Sequence, residues 1–138
     1  GEVCGLAGAR NDSTGNWCTV NLATFESTTV PNVHIIGDSV LSNLPKSGHM
    51  ATNHAKVCAA AIVELLAGRQ PDPIPVVANT CYSATSDTTA GYVANVFRFE
   101  AGKGYVTQPD GGATGKGDDL NFAYAESWAQ NIWAETLS

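Results

Sequence analysis

The pattern of apolar and polar positions divides the chain into a polar, turn-rich start, a long apolar block and a strand-rich second half. Short candidate strands lie at 19–22 and 24–27, separated by residues that favour turns. The run Val33–Ile36 is rich in β-branched residues and is bounded by Gly37. Such a short apolar run is typical of a buried parallel strand.

The longest apolar block predicts a helix from Ser47 to about Ala67. Ser47 is a favourable N-cap residue, and Gly68 is a natural residue to follow the last turn. Apolar side chains recur at four-residue intervals, and in the second half they surround the predicted helix almost completely: Val57, Cys58, Ala59, Ala60, Ala61, Ile62, Val63, Leu65 and Leu66. We therefore expect this helix to be buried between layers of the fold.

The proline-rich segment RQPDPIP at 69–75 predicts a stiff, extended connector and is the best internal boundary. Beyond it, the pattern predicts strands at 76–83, 91–99 and 104–107. The stretch YVANVFRFE alternates as expected of a half-buried antiparallel strand. A second helix, which carries aromatic residues, is predicted for 122–137.

Composition and charge narrow the classes of function. A chain of 138 residues with 43% hydrophobic and 14% charged residues is typical of one globular domain. The net charge of −6 disfavours nucleic acid and suits a basic protein partner. The sequence has no apolar run of the roughly 20 residues that a membrane span requires.

Metal binding is not predicted. Cysteines at 4, 18, 58 and 81 do not have the spacing of a zinc site. His49 and His54 are separated by roughly 140° on a helix, so they face apart, and each is expected to be a core or surface residue. His34 is expected to be packed and hydrogen-bonded.

The cysteines leave several pairings open. Cys4 and Cys18 can pair across the loop NDSTGN, Cys58 is expected to pack inside the apolar helix, and the sequence does not choose among the alternatives. The chain opens GEVCGLAGAR, without an initiator Met or a signal peptide. We expect it to be the C-terminal piece of a larger polypeptide.

Polar groups gather where the predicted strand 33–36 meets the long helix. Gly37 allows a ligand to approach the backbone, and Asp38 offers an acceptor for a sugar-like hydroxyl. At Ser47 a helix begins whose first N–H groups and dipole attract negative charge, and Lys46 adds a positive charge there. A flavin needs both features, but an ordinary turn followed by an ordinary N-cap has the same residues.

Further stretches carry a family resemblance. They are TFES (24–27), VHIIGD (33–38), LPKSGHMATNHAKVCAAAIVELLAG (44–68), NTCYS (79–83), the 91–98 strand and YAESWAQNIWAE (124–135). With them the chain resembles the C-terminal part of the flavoprotein subunit of flavocytochrome c sulfide dehydrogenase, over nearly its whole length. The P-K-S-G and N-T-C-Y-S motifs are specific to that family. Gly-Asp occurs more widely among flavoproteins with two dinucleotide-binding domains.

The resemblance implies a fold class of α/β plus α+β. Residues 1–70 would be the C-terminal part of an FAD-binding, dinucleotide-type domain. Residues 75–138 would form the C-terminal interface domain, with antiparallel strands and a terminal helix.

The resemblance also implies roles for individual residues. Gly37 and Asp38 would contact the ribityl and pyrophosphate region of FAD. Cys81 falls on the family's redox-active cysteine, one half of a disulfide over the flavin. The pyrimidine edge of the isoalloxazine ring would lie near Lys46, Ser47 and Gly48.

The implied activity is the oxidation of sulfide to zero-valent sulfur in the periplasm. Hydrosulfide would attack the disulfide and leave a persulfide, and two electrons would enter FAD and leave singly to haem c on a cytochrome c subunit. One alternative is a sulfide:quinone-type or other flavin disulfide reductase. Another is a non-catalytic interaction module in which the corner at Asp38 is a turn and Cys81 a core thiol.

The sequence departs from the family pattern in places. His49 stands where the family usually has an aromatic residue, and the loop ATSDTTA after Cys81 is more polar than usual. The glycine-rich fingerprint and the disulfide partner of Cys81 would belong to an N-terminal flavoprotein portion upstream of Gly1. We therefore expect residues 1–138 alone to bind FAD weakly or not at all.

Overall fold

The computed structural model describes Gly5, Ser13, 15–109 and 111–137. Its strands are β1 (Val20–Asn21), β2 (Glu26–Ser27), β3 (Val76–Ala84), β4 (Ala90–Glu100), β5 (Gly104–Thr107) and β6 (Gly112–Ala113). Its helices are a 3-10 helix (Gly37–Ser39), α1 (Gly48–Leu66) and α2 (Asp119–Leu137). The chain divides into two compact units, Gly1–Asn79 with Val96–Pro109 and Thr80–Asn95 with Asp110–Ser138.

The strands β1 and β2 form an antiparallel pair in the first unit, with Val20 opposite Ser27. The turn between them places Phe25 at a φ of 59°, which is unusual for a bulky residue. Phe25 is fully buried, and its N–H donates to the carbonyl of Asn21. The strands predicted at 19–22 and 24–27 are confirmed in shorter form.

The strand predicted at Val33–Ile36 is wrong. His34 makes an isolated antiparallel bridge to Glu26, supported by backbone hydrogen bonds from Ser27 N–H to Val33 O and from Ile35 N–H to Phe25 O. Its partner strand, β2, is only two residues long. Directly after Ile36, Gly37 turns the chain at a φ of +70°. The extended segment therefore ends before a ladder can form.

The helix α1 confirms the predicted boundaries. The Ser47 hydroxyl accepts a hydrogen bond from Met50 N–H at 3.1 Å, which caps the first turn. At the other end Gly68 adopts a φ of +70° and donates to the carbonyl of Leu65, while Arg69 N–H donates to that of Glu64. These two bonds form a Schellman motif, the expected C-terminal stop.

The expectation that α1 is buried between layers of the fold is wrong. One face is buried, through Met50, His54, Cys58 and Ala61. On the other side Val63 is 60% and Leu66 is 84% exposed. Within the described part of the first unit, the helix therefore packs through a single stripe at helical spacing.

The core of the first unit gathers around that stripe. The antiparallel pair β4–β5 contributes Phe97 and Tyr105, and Phe99 N–H bonds to the carbonyl of Pro75. The buried cluster consists of Cys18, Phe25, Ile35, Val40, Leu44, Met50, Cys58, Val77, Phe97 and Tyr105.

The second unit contains a small antiparallel sheet and the terminal helix. β4 pairs with β6 through Val93 and Ala113, and Ala90 forms a bridge with Asp118 just before α2. The predicted C-terminal α+β organisation, with antiparallel strands and a terminal helix, is confirmed. The division between residues 1–70 and 75–138 stays a prediction.

Candidate functional site

The turn at Gly37 and Asp38 is the centre of the predicted site in the first unit. Gly37 begins the 3-10 helix at a φ of +70°. A Cβ at this position would lie 3.5 Å from the Cβ of Ala51, an ordinary contact, so backbone conformation rather than space favours glycine. Asp38 follows with its side chain exposed, where it can accept hydrogen bonds from a ligand.

Lys46 closes this turn. Its Nζ donates to the carbonyl of Asp38 at 2.8 Å and to that of Val40 at 2.9 Å. The same ammonium lies 4.1 Å from the centroid of the Trp17 ring, a cation–π contact. Lys46 therefore supplies the predicted positive charge at the corner, and it also orders the backbone that carries Asp38.

His54 holds the other side of the turn, which the sequence did not predict. Gly37 N–H donates to His54 Nδ1 at 3.1 Å, so the neutral ring carries its proton on Nε2. His54 is 2% exposed, and its ring packs on Phe25 with centroids 4.4 Å apart. Its place four residues after Met50 and four before Cys58 is the sequence signal for the buried face.

The ionisation of His54 is shifted by these surroundings. Burial, and secondly the positive charge of Lys46, lower its pKa from 6.5 to about 4, while the Asp38 carboxylate acts in the opposite direction. At neutral pH the ring is therefore uncharged and Nδ1 remains a hydrogen-bond acceptor.

The N-terminus of α1 follows this turn by about ten residues, and its backbone is the second predicted part of the site. Ser47 Oγ accepts from Met50 N–H and donates to Oδ1 of the buried Asn79 at 2.5 Å, which fixes the first turn. A Cβ at Gly48 would meet no heavy atom within 4 Å. Open space therefore adjoins the positive end of the helix dipole.

These residues fit a flavin by the chemistry of their groups. Asp38 offers exposed acceptor oxygens, as a polyol chain requires. The backbone at Gly48 and the helix start suit a group that becomes anionic on reduction. The sequence identified these residues, and the structure adds the hydrogen bonds of Lys46 and His54 that order the turn.

Cys81 lies on β3 in the second unit, and its side chain is exposed. The alternative of a buried core thiol at this position is therefore wrong. Cys58 is the contrasting case, since it packs inside the first unit and burial raises the pKa of its thiol. Cys18 is disulfide-bonded, and Cys4, the partner suggested from sequence, lies outside the described residues.

An aromatic group adjoins Cys81 along the strand. The Tyr82 ring contacts those of Tyr92 and Trp128, with centroid distances of 6.1 and 5.9 Å. Trp128 thereby anchors α2 within the second unit, whereas Trp133 is 60% exposed.

The structure also bears on the predictions for His34, metal binding and membrane spans. His34 Nδ1 lies 3.0 Å from the carbonyl of Thr24, so its prediction as a packed, hydrogen-bonded residue is confirmed. In the part of the chain that the structure describes, no three His, Cys, Asp or Glu side chains are grouped to hold a metal ion. None of the described helices has the length and apolar character to cross a membrane.

A comparison with protein families bears on the second half of the chain. Residues 73–137 match the family model described as flavocytochrome c sulphide dehydrogenase, flavin-binding. The matched region begins in the proline connector and includes Cys81, Trp128 and all of α2. The corner residues of the first unit lie outside it, so their contacts with a flavin stay a prediction, as does the redox role of Cys81.

Proposed function

We propose that the chain is part of an FAD-dependent enzyme that oxidises sulfide and passes electrons to haem c on a cytochrome c subunit. The premise is that residues 73–137 match the family model described as flavocytochrome c sulphide dehydrogenase, flavin-binding. The observation that carries the proposal is the family match, which includes the exposed Cys81. FAD, when bound, supplies a two-electron acceptor.

The overall reaction balances in electrons and protons. Hydrosulfide loses two electrons and a proton and becomes zero-valent sulfur. FAD, when bound, would supply the acceptor for these two electrons and the proton, and haem on the cytochrome c subunit would supply a one-electron acceptor.

Cys81 is the proposed redox residue. In the oxidised enzyme its sulfur would form a disulfide with a second cysteine of the flavoprotein. Hydrosulfide would form a new S–S bond with one of these sulfurs, break the bond between them and release the other as a thiolate. Exposure of Cys81 on β3 supports this role because a sulfur must be reachable for exchange.

The first unit would supply flavin contacts. We assign to Asp38 the role of accepting hydrogen bonds from the ribityl hydroxyls, with Gly37 allowing close approach. Gly48 and the start of α1 would face the electron-rich edge of the ring system. The positive charge of Lys46 adds to that field.

Charge and cysteine chemistry support the proposed partner and compartment. A net charge of −6 suits a partner with a basic docking surface. The disulfide at Cys18 supports a periplasmic location, because such bonds persist in oxidising compartments.

The test is to purify the protein expressed from its full coding sequence and to measure sulfide-dependent reduction of a c-type cytochrome. We expect bound FAD and sulfide-dependent reduction. The Cys81→Ser variant should retain FAD and lose this activity, whereas the matched control Cys58→Ala should keep both. Wild-type protein without flavin, or a Cys81→Ser variant with normal sulfide oxidation, would contradict the proposal.

Two further measurements separate the alternatives. Faster electron transfer to a quinone than to cytochrome c would favour a sulfide:quinone-type enzyme. A non-catalytic interaction module would neither oxidise sulfide nor contain a disulfide at Cys81 that is reduced and reformed reversibly, as followed by thiol titration.

A further inference from the structure

We propose that His54 is a positioning residue for the flavin site: by accepting a hydrogen bond from Gly37 N–H, it fixes the orientation of the exposed Asp38 carboxylate. This inference rests on the proposed function, because it assigns the bound group as FAD. His54 itself is buried and would not touch the cofactor.

Two of the side-chain hydrogen bonds to the turn lie on either side of the residues that determine where Asp38 points. His54 Nδ1 holds the peptide N–H that precedes Gly37 Cα, at 3.1 Å. Lys46 Nζ holds the carbonyl that follows Asp38 Cα, at 2.8 Å. Two peptide planes are thus anchored, and the φ and ψ angles of Gly37 and Asp38 lie between them.

Gly37 makes this restraint necessary. A glycine at a φ of +70° has access to many other conformations, and its own side chain cannot limit them. Within the turn, Val40 N–H donates to the carbonyl of Gly37 at 3.1 Å, which restrains the peptide after this residue. The peptide N–H before it is held by His54 from another part of the chain. Its ring is packed against the fully buried Phe25 and anchored on α1.

The restraint requires a neutral imidazole. The charged groups that act on the ring are Lys46 from the loop before α1 and Asp38 from the turn itself. Lys46 and burial both oppose protonation, so the acceptor at Nδ1 persists at neutral pH. Lys46 therefore has two effects: it holds the carbonyl of Asp38, and its charge keeps His54 neutral, so the hydrogen bond from Gly37 N–H persists.

The experiment is a double-mutant cycle on FAD affinity, with the protein expressed from its full coding sequence. His54→Phe keeps a packed ring and removes the acceptor, whereas His54→Asn can replace Nδ1 with its Oδ1. We expect His54→Phe to weaken FAD binding about tenfold and His54→Asn less than about threefold. In an Asp38→Asn background, His54→Phe should add less than about a further twofold loss, because its effect is exerted through Asp38. Additive losses, or equal losses in both His54 variants, would overturn the proposal.

A second measurement does not depend on flavin. Hydrogen exchange at Gly37 N–H, followed by NMR on the 138-residue chain, should accelerate at least about tenfold in His54→Phe and much less in His54→Asn. The Met50 amide, bonded to Ser47, serves as the control for folding. Unchanged Gly37 exchange in His54→Phe would overturn the positioning role even if FAD binds. If Gly37 exchange accelerates in His54→Phe but the wild-type protein expressed from its full coding sequence binds no FAD, the positioning role stands, whereas the proposed function and the flavin assignment are overturned.

Discussion

The two long helices have the same length, 19 residues, and are stabilised differently. In α1 the buried residues recur at intervals of three or four, from Met50 through His54 and Cys58 to Ala61, so they share one face. In α2 the larger apolar residues are spread around the axis, Asn121 is the buried residue, and Trp133 and Leu137 face solvent. Spacing along the helix, rather than apolar content, decides which helix contributes to a core.

The largest expected effect tests this contrast directly. Met50→Ala removes a fully buried side chain and should lower the free energy of unfolding by about 2–4 kcal/mol. Trp133→Ala removes a larger but mainly exposed side chain and should change it by less than about 1 kcal/mol. Urea unfolding followed by circular dichroism measures both, and equal losses would show that the contrast between the helices is false.

A second prediction concerns the polar member of the α1 stripe. The pKa of His54 is about 4 in the folded protein, compared with 6.5 for an unperturbed histidine, the value expected in the unfolded chain. Between these two pH values the unfolded chain therefore binds more protons than the folded protein. Stability should therefore fall as pH decreases from 7 to 5, by about 2 kcal/mol from this group. Urea unfolding at both pH values measures the loss.

The matched variant for this prediction is His54→Phe, which cannot titrate. Its stability should decrease less than that of the wild type between pH 7 and 5, and the difference isolates His54. Parallel pH profiles for the two proteins would contradict the assignment of a buried, neutral imidazole.

The sequence predicted those elements whose signals are local. Ser47 and Gly68 mark the ends of α1 because caps depend on a few adjacent residues, and β5 follows the predicted 104–107. Val33–Ile36 has the composition of a strand, but a strand also needs a partner, and the partner here is two residues long. The local pattern could not show that.

The sequence predicted which residues form the candidate site better than it predicted the contacts between them. Asp38 and Lys46 were evident from a short motif. The hydrogen bond between Gly37 and His54 joins positions 17 residues apart, and it depends on which helix face packs against the turn. Only the fold brings those atoms together.

The smallest predicted effects sharpen the comparison at the ends of α1. Gly68 has a φ of +70°, so Gly68→Ala places a Cβ in the left-handed region and should destabilise the fold by about 1 kcal/mol. At Gly48 a Cβ meets open space within the first helical turn, so Gly48→Ala should leave the fold as stable or more stable by up to about 1 kcal/mol. Thermal unfolding measures both variants, and an equal destabilisation would contradict the difference in backbone conformation. FAD binding of Gly48→Ala is the last comparison. If the added methyl weakens FAD binding without loss of stability, the open space at the start of α1 serves the ligand rather than the fold. The two long helices would then differ in function as well as in packing.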